Sequence, residues 1–129
     1  MAEIINWMYS VRALSGPAAS LAGQIQADGY QKLSVTVAAG ATTKVTIGPD
    51  KWPGVLGLIV SASDPNGKPA AKISATPDGG QALQLDAPLI LLGAGTVALL
   101  GAGNATLSFK NDGAVDALVD LFVVRDATP

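Results

Sequence analysis

Gly93, Gly95 and Ala98 have the spacing of a phosphate cradle. In "LLGAGTVA", residues 91 to 98, an apolar run leads into two glycines and reaches Ala98 three residues later. This fits G-x-G-x-x-[G/A], the fingerprint in which amides at a helix N-terminus hold a dinucleotide's pyrophosphate. That chemistry requires the glycines to open a helix of about ten or more residues inside a strand–helix–strand unit. Here "LLGAG" recurs at 99–103, so Gly101 and Gly103 arrive before such a helix could form. Asp116 and Asp120 do lie about 20 positions on, where a ribose-binding acid belongs. They fall inside an alternating strand pattern rather than at its end. The glycines are therefore read as corners, giving strand, turn, strand, turn, strand, and no cofactor is expected.

Other chemistries fail for similar reasons. Asp116 and Asp120 share one face of a strand about 13 Å apart at roughly 3.3 Å per residue. A glycosidase carboxylate pair needs roughly 5–9.5 Å. The acidic turns "SDPNG", "TPDGG" and "KNDG" lack the ligand spacing of a calcium loop, and turn chemistry accounts for each. The chain has no His and no Cys, which removes imidazole bases, thiol nucleophiles, disulfides and nearly every zinc site. Ser34, Ser61, Ser74 and Ser108 lie mid-strand with no activating base in view. Trp52, between Lys51 and Pro53, is a candidate for stacking on a sugar. Sugar sites usually present several aromatics, and only 5% of this chain is aromatic, so plugging one end of a sandwich is the preferred role. The expectation is a protein that is not an enzyme and holds no metal.

Composition says what such a chain does with its surface. Its 129 residues make one domain, 49% hydrophobic and only 14% charged, against about 25% charged in ordinary soluble domains. Such a chain either buries more surface than a monomer of its size would or hides some of it against partners, and partners are the preferred reading. The net charge is −2 with eight scattered cations, which argues against nucleic acid. No run approaches the ~18 apolar residues of a membrane span. Glu3, Asn6 and Arg12 interrupt the opening segment, so it does not read as a secretion signal, and synthesis in the cytoplasm is expected.

From residue 31 onward, strands and turns alternate. "KLSVTV" and "KVTIG" show period two, with Leu33, Val35, Val37, Val45 and Ile47 on single faces. "VLGLIVSAS" is nearly continuous and reads as a central strand buried on both sides. "AAKISAT", "QALQL", "PLILL" and "ATLSFK" follow between turns at Asp64–Gly67 and Pro77–Gly80. Asn111-Asp112-Gly113 reads as a tight hairpin turn with positive φ, leading into the longest strand, "AVDALVDLFVV". Eight or nine strands in residues 31–129 predict an all-β, antiparallel sandwich, jelly-roll-like or Ig-like, since strand order leaves no trace in period-two patterns.

Residues 1–30 are a different material. "EIINWMYSVRAL" sets Ile4, Trp7, Met8, Val11 and Leu14 at helical spacing, and Ser15-Gly16-Pro17 ends the run. This predicts a short amphipathic helix or extended arm followed by a small-residue linker, docked on its own domain or on a neighbour. The last strand supplies a second candidate surface. Ala117, Val119, Leu121 and Val123 face one way, while Leu118, Phe122 and Val124 share the other face with the two aspartates. That second face is too apolar for plain solvent. Ile4, Trp7, Met8, Val11, Leu14, Leu118 and Phe122 are thus the candidate contacts to another subunit.

The C-terminal stretch "GAGNATLSFKNDGAVDALVDLFVVRD" resembles the closing hairpin of small β-sandwich virion proteins of tailed bacteriophages, the capsid decoration (cement) type. The resemblance implies a homo-oligomer, often a trimer, placed in the virion where capsomers meet. It also implies an N-terminal arm touching the shell or the adjacent copy, with the major capsid protein or another virion protein as partner. The expected function is structural, self-assembling and particle-stabilising. The alternative is a carbohydrate-binding or adhesin-like sandwich, supported by Trp52 and the acidic turns.

Overall fold

A computed structural model describes residues 3–68, 72–101 and 103–125. The strands are β1 (Glu3–Arg12), β2 (Ala18–Ala27), β3 (Gly29–Val37), β4 (Thr42–Lys51) and β5 (Val55–Ser63). They continue with β6 (Ile73–Pro77), β7 (Leu83–Gln84), β8 (Leu89–Leu92), β9 (Asn104–Asn111) and β10 (Ala117–Arg125). β1 and β2 form a two-stranded ribbon of their own. The other eight build two antiparallel four-stranded sheets, ordered β3-β10-β5-β8 and β4-β9-β6-β7.

The pairings show how this order arises. β3 pairs with β10, β4 with β9, β5 with β8, and β6 with β7. The chain from Gly29 to Arg125 is therefore one long hairpin doubled back on itself. Wrapping it brings β10 beside β5 and β9 beside β6, which closes the two sheets. This is the eight-strand jelly roll, so the choice left open between jelly-roll and Ig-like order is settled by the pairings.

Alternation puts the core between the sheets. Val37, Leu58, Val60, Val119, Leu121 and Val123 from one sheet meet Ile47, Ile73, Ala75, Leu107 and Phe109 from the other, all buried. One end is closed by two short helical pieces. A 3-10 turn at Trp52–Gly54 buries the Trp52 indole, and α1 (Ala94–Val97) with a 3-10 turn at Ala98–Leu100 buries Val97 and Leu100. These pieces adjoin one another.

Three expectations are corrected here. Of the helix and the extended arm expected for the opening segment, the structure has the extended form, a strand. It is rich in β-branched and aromatic residues, and "AASLAGQIQA" supplies a partner strand where a linker was expected. The "LLGAG" repeat does not make strand–turn–strand. Gly93 (φ +100°) and Gly101 (φ +106°) turn the chain into and out of the helical plug. The Gly93 N–H donates to the Leu56 carbonyl, and the Thr96 hydroxyl donates to the Leu92 carbonyl. Ala102 of the second copy lies outside the described residues, as do Ala70 and Ala71 of "AAKISAT". Finally, Asn111-Asp112-Gly113 is not a hairpin turn, because β9 and β10 belong to opposite sheets. None of its residues has positive φ. The buried Asn111 amide holds the crossover by donating to the carbonyls of Val37 and Val115, while its oxygen accepts from the Gly113 N–H.

Candidate functional site

The ribbon is the part of the molecule whose surface chemistry is least like that of a solvated strand pair. Cross-strand partners run Ile5↔Ile25, Trp7↔Gly23, Tyr9↔Leu21 and Val11↔Ala19 on one face. Ile4↔Gln26, Asn6↔Gln24, Met8↔Ala22, Ser10↔Ser20 and Arg12↔Ala18 occupy the other. The first face begins with Glu3↔Ala27 and is apolar from Ile5 to Val11, and the second is mixed. Such two-stranded ribbons need a partner surface for their apolar side. Glycine shapes this face at one point. A Cβ on Gly23 would lie 2.7 Å from Cζ2 of Trp7, so only a glycine lets the indole lie flat across the partner strand.

Half of that apolar face is covered by the molecule itself. The outward face of the β3-β10-β5-β8 sheet follows from its register: Tyr30, Phe122, Val124, Gly57, Ile59, Ile90 and Leu92 fill the half nearest the ribbon. Lys32 ends the Phe122 row on β3, and Ser34, Asp120, Ser61, Thr36 and Ser63 fill most of the other half. Ile25 reaches down to Gly57, where a Cβ would lie 3.5 Å from both Ile25 Cδ1 and Val124 Cβ. Val124 points out of the sandwich yet is only 2% exposed, because the ribbon base roofs it. Phe122 stacks on Tyr30 with ring centroids 5.6 Å apart and lines a cleft under Ile5 and Trp7.

Beyond Trp7 the cover ends. Tyr9, Val11 and Leu21 are exposed, Leu21 at 63%, and Leu14 in the hairpin turn is fully in solvent. Leu14 lies in the segment between Ala13 and Pro17, where the Ala13 N–H donates to the Pro17 carbonyl. A second cleft, about 360 Å³, opens between Trp7, Tyr9 and Leu21 on the ribbon and Pro88, Ile90, Leu92 and Thr96 on the sheet edge.

The sequence-derived candidates distribute unevenly over this surface. Trp7 and Val11 lie on the apolar face and Leu14 at the tip, while Ile4 and Met8 face the other way, Met8 at 82% exposure. Phe122 joins them at the cleft. Leu118 is 41% exposed at the polar end of the same sheet, paired to Thr36 and Ser63, away from the ribbon. Ile5, Tyr9, Leu21, Ile25, Ile90 and Leu92 were missed. For the four ribbon residues the signal is period two in residues 5–11 and 19–25 around a Ser-Gly-Pro turn, and for Ile90 and Leu92 it is only the apolar run "PLILL".

The remaining polar candidates have local explanations. Trp52 is 1% exposed, which leaves no indole face open to a sugar. Its Nε1 has no hydrogen-bond partner. Asp120 accepts from the Ser34 hydroxyl at 2.7 Å, and Asp116 from the Ala39 N–H at 3.1 Å. Asp64 accepts from the amides of Asn66 and Lys68, and Asp78 from that of Asn104. Asp64 and Asp78 thus use their carboxylates to fix backbone, Asp112 lies 3.8 Å from Lys110 Nζ, and among the described residues no acidic cluster is placed to hold a metal ion. Compared with family models, characterised proteins and solved structures, the chain matches none of them.

Proposed function

We propose that this chain is a non-enzymatic structural protein that assembles through its N-terminal ribbon and stabilises a larger particle. A phage capsid decoration (cement) or minor capsid protein is the form of that role its size, low charge and jelly-roll architecture fit best. The observation that carries the reading is the ribbon's apolar face, continuous from Ile5 to Val11 and uncovered beyond Trp7. Exposed, contiguous apolar surface of that kind marks an interaction site rather than a solvated one. Interfaces that form permanently are built from such surface. The sandwich has its own closed core without the ribbon, so the ribbon is available for contact rather than needed for the fold.

Light scattering on a sizing column tests the reading. The full chain is expected to run as an oligomer, and a chain starting at Gly29 as a folded monomer. A full chain that is monomeric at all concentrations and does not bind particles would remove the proposal.

A further inference from the structure

We infer that the occupant of the cleft between ribbon and sheet edge is the outer half of the ribbon of a second copy of this chain. The inference rests on the assembly reading above and names its partner.

Three features of the molecule support a second copy. The first is chemical match. The ribbon wall (Trp7, Tyr9, Leu21) and the sheet wall (Pro88, Ile90, Leu92, Thr96) carry no charge. The ribbon beyond that wall, Val11 and Ala19 with Leu14 at the tip, carries none either, since Arg12 belongs to the opposite face. A charged occupant would lose hydration in this cleft without finding a partner, whereas an apolar ribbon would lose none.

The second is continuity. The ribbon base already packs on this sheet, with Ile25 over Gly57 and Val124. The cleft is the outward extension of that contact, along β8, which is the edge strand of its sheet. A second ribbon there repeats a packing the chain already makes with itself.

The third is length. From Tyr9 to the turn the ribbon extends about 15 Å at roughly 3.3 Å per residue, and a four-stranded sheet is about 14–19 Å wide at its strand spacing. The free half is long enough to cross one neighbouring sheet and no more. Each copy then gives a ribbon and receives one, a head-to-tail contact that closes into a ring when the rotation allows.

The absence of cysteine in the sequence makes the test direct. Full-length Val11→Cys and Ile90→Cys variants are prepared separately, checked for fold by circular dichroism, mixed, and oxidised. The expected result is a two-chain disulfide in the mixture that peptide mass spectrometry assigns to positions 11 and 90, with far less product from either variant alone. Ile90→Lys, at a partly exposed position, is expected to keep the circular dichroism spectrum of the folded chain and lose the oligomer. Pro88→Cys reads the same wall should Ile90→Cys not fold. An oligomer in which position 11 links only to position 11, and whose mass Ile90→Lys leaves unchanged, overturns this inference while the assembly reading stands. A full chain that is monomeric throughout overturns both.

Discussion

Asn111 is the polar residue on which the jelly roll depends most. Its amide bridges the end of β3 to the crossover before β10, satisfying two carbonyls and one amide in a site that is 3% exposed. Truncation strands those groups, and a buried group left unpaired costs about 1–3 kcal/mol. Asn111→Ala is therefore expected to lower stability by roughly 2–4 kcal/mol in urea unfolding, and Asn111→Asp, which sets an acceptor against both carbonyls, by at least as much. Trp52 presents the opposite case. Its Nε1 is buried without a partner, so Trp52→Phe removes an unsatisfied donor along with the ring volume it costs. That variant should lose no more than about 1.5 kcal/mol, whereas Trp52→Ala loses roughly 3–5. Equal losses in the two would show that the indole nitrogen is satisfied in solution.

At the scale of elements, glycine positions set what the ribbon and plug can do. Gly93 and Gly101 have φ of +100° and +106° with extended ψ, a region that only glycine visits readily. Gly93→Ala and Gly101→Ala are each expected to cost about 1–3 kcal/mol by loosening the Val97–Leu100 plug. Gly23→Val acts differently. The added side chain would collide with the Trp7 indole, so Trp7 swings off the sheet. In a Trp52→Phe background its fluorescence should shift to the red and its quenching by iodide should rise, with thermal stability nearly unchanged. The elements also show how far the sequence could be read. Strands β3, β9 and β10 were legible because period two is strict in them and one face meets a core, and β5 because its β-branched run is nearly continuous between turns. The ribbon was not, because Ile4, Trp7, Met8, Val11 and Leu14 satisfy a helical stripe while Ile5, Trp7, Tyr9 and Val11 satisfy a strand. Short apolar runs carry both patterns, and the partner strand that decides between them is small-residue material with little pattern of its own. The helical plug was hidden for a related reason. Seven residues between two glycines are too few for a period to show.

For the whole molecule, the strand count and sandwich class followed from turn spacing, but the strand order did not. Pairings such as Val37↔Ala117 and Thr42↔Lys110 join residues far apart in sequence, and nothing local records them. The proposed interaction surface was half legible, with Trp7, Val11, Leu14 and Phe122 named from sequence and the sheet-edge residues Ile90 and Leu92 that face them not. An assembly held by uncharged faces should be nearly indifferent to ionic strength, since screening acts on charges alone. The native mass of the full chain is thus expected to be the same at about 50 mM and 500 mM salt, where the Debye length falls severalfold. Dissociation on adding salt would point instead to contacts through the charged residues of the opposite sheet half.

The doubled-back chain has a consequence for the order of events during folding. The ribbon is a local hairpin, which forms in about 1–10 μs. The jelly roll closes only when β10 reaches β3 and β5, and such non-local pairing takes roughly milliseconds to seconds. On a chain being synthesised, the ribbon is complete before β5, β8 and β10, which carry its floor, have been made. For that interval its entire apolar face, base as well as tip, is open to any neighbour. Premature encounters between nascent chains are the hazard of this design, and the speed with which the last strand is delivered decides how many copies escape them.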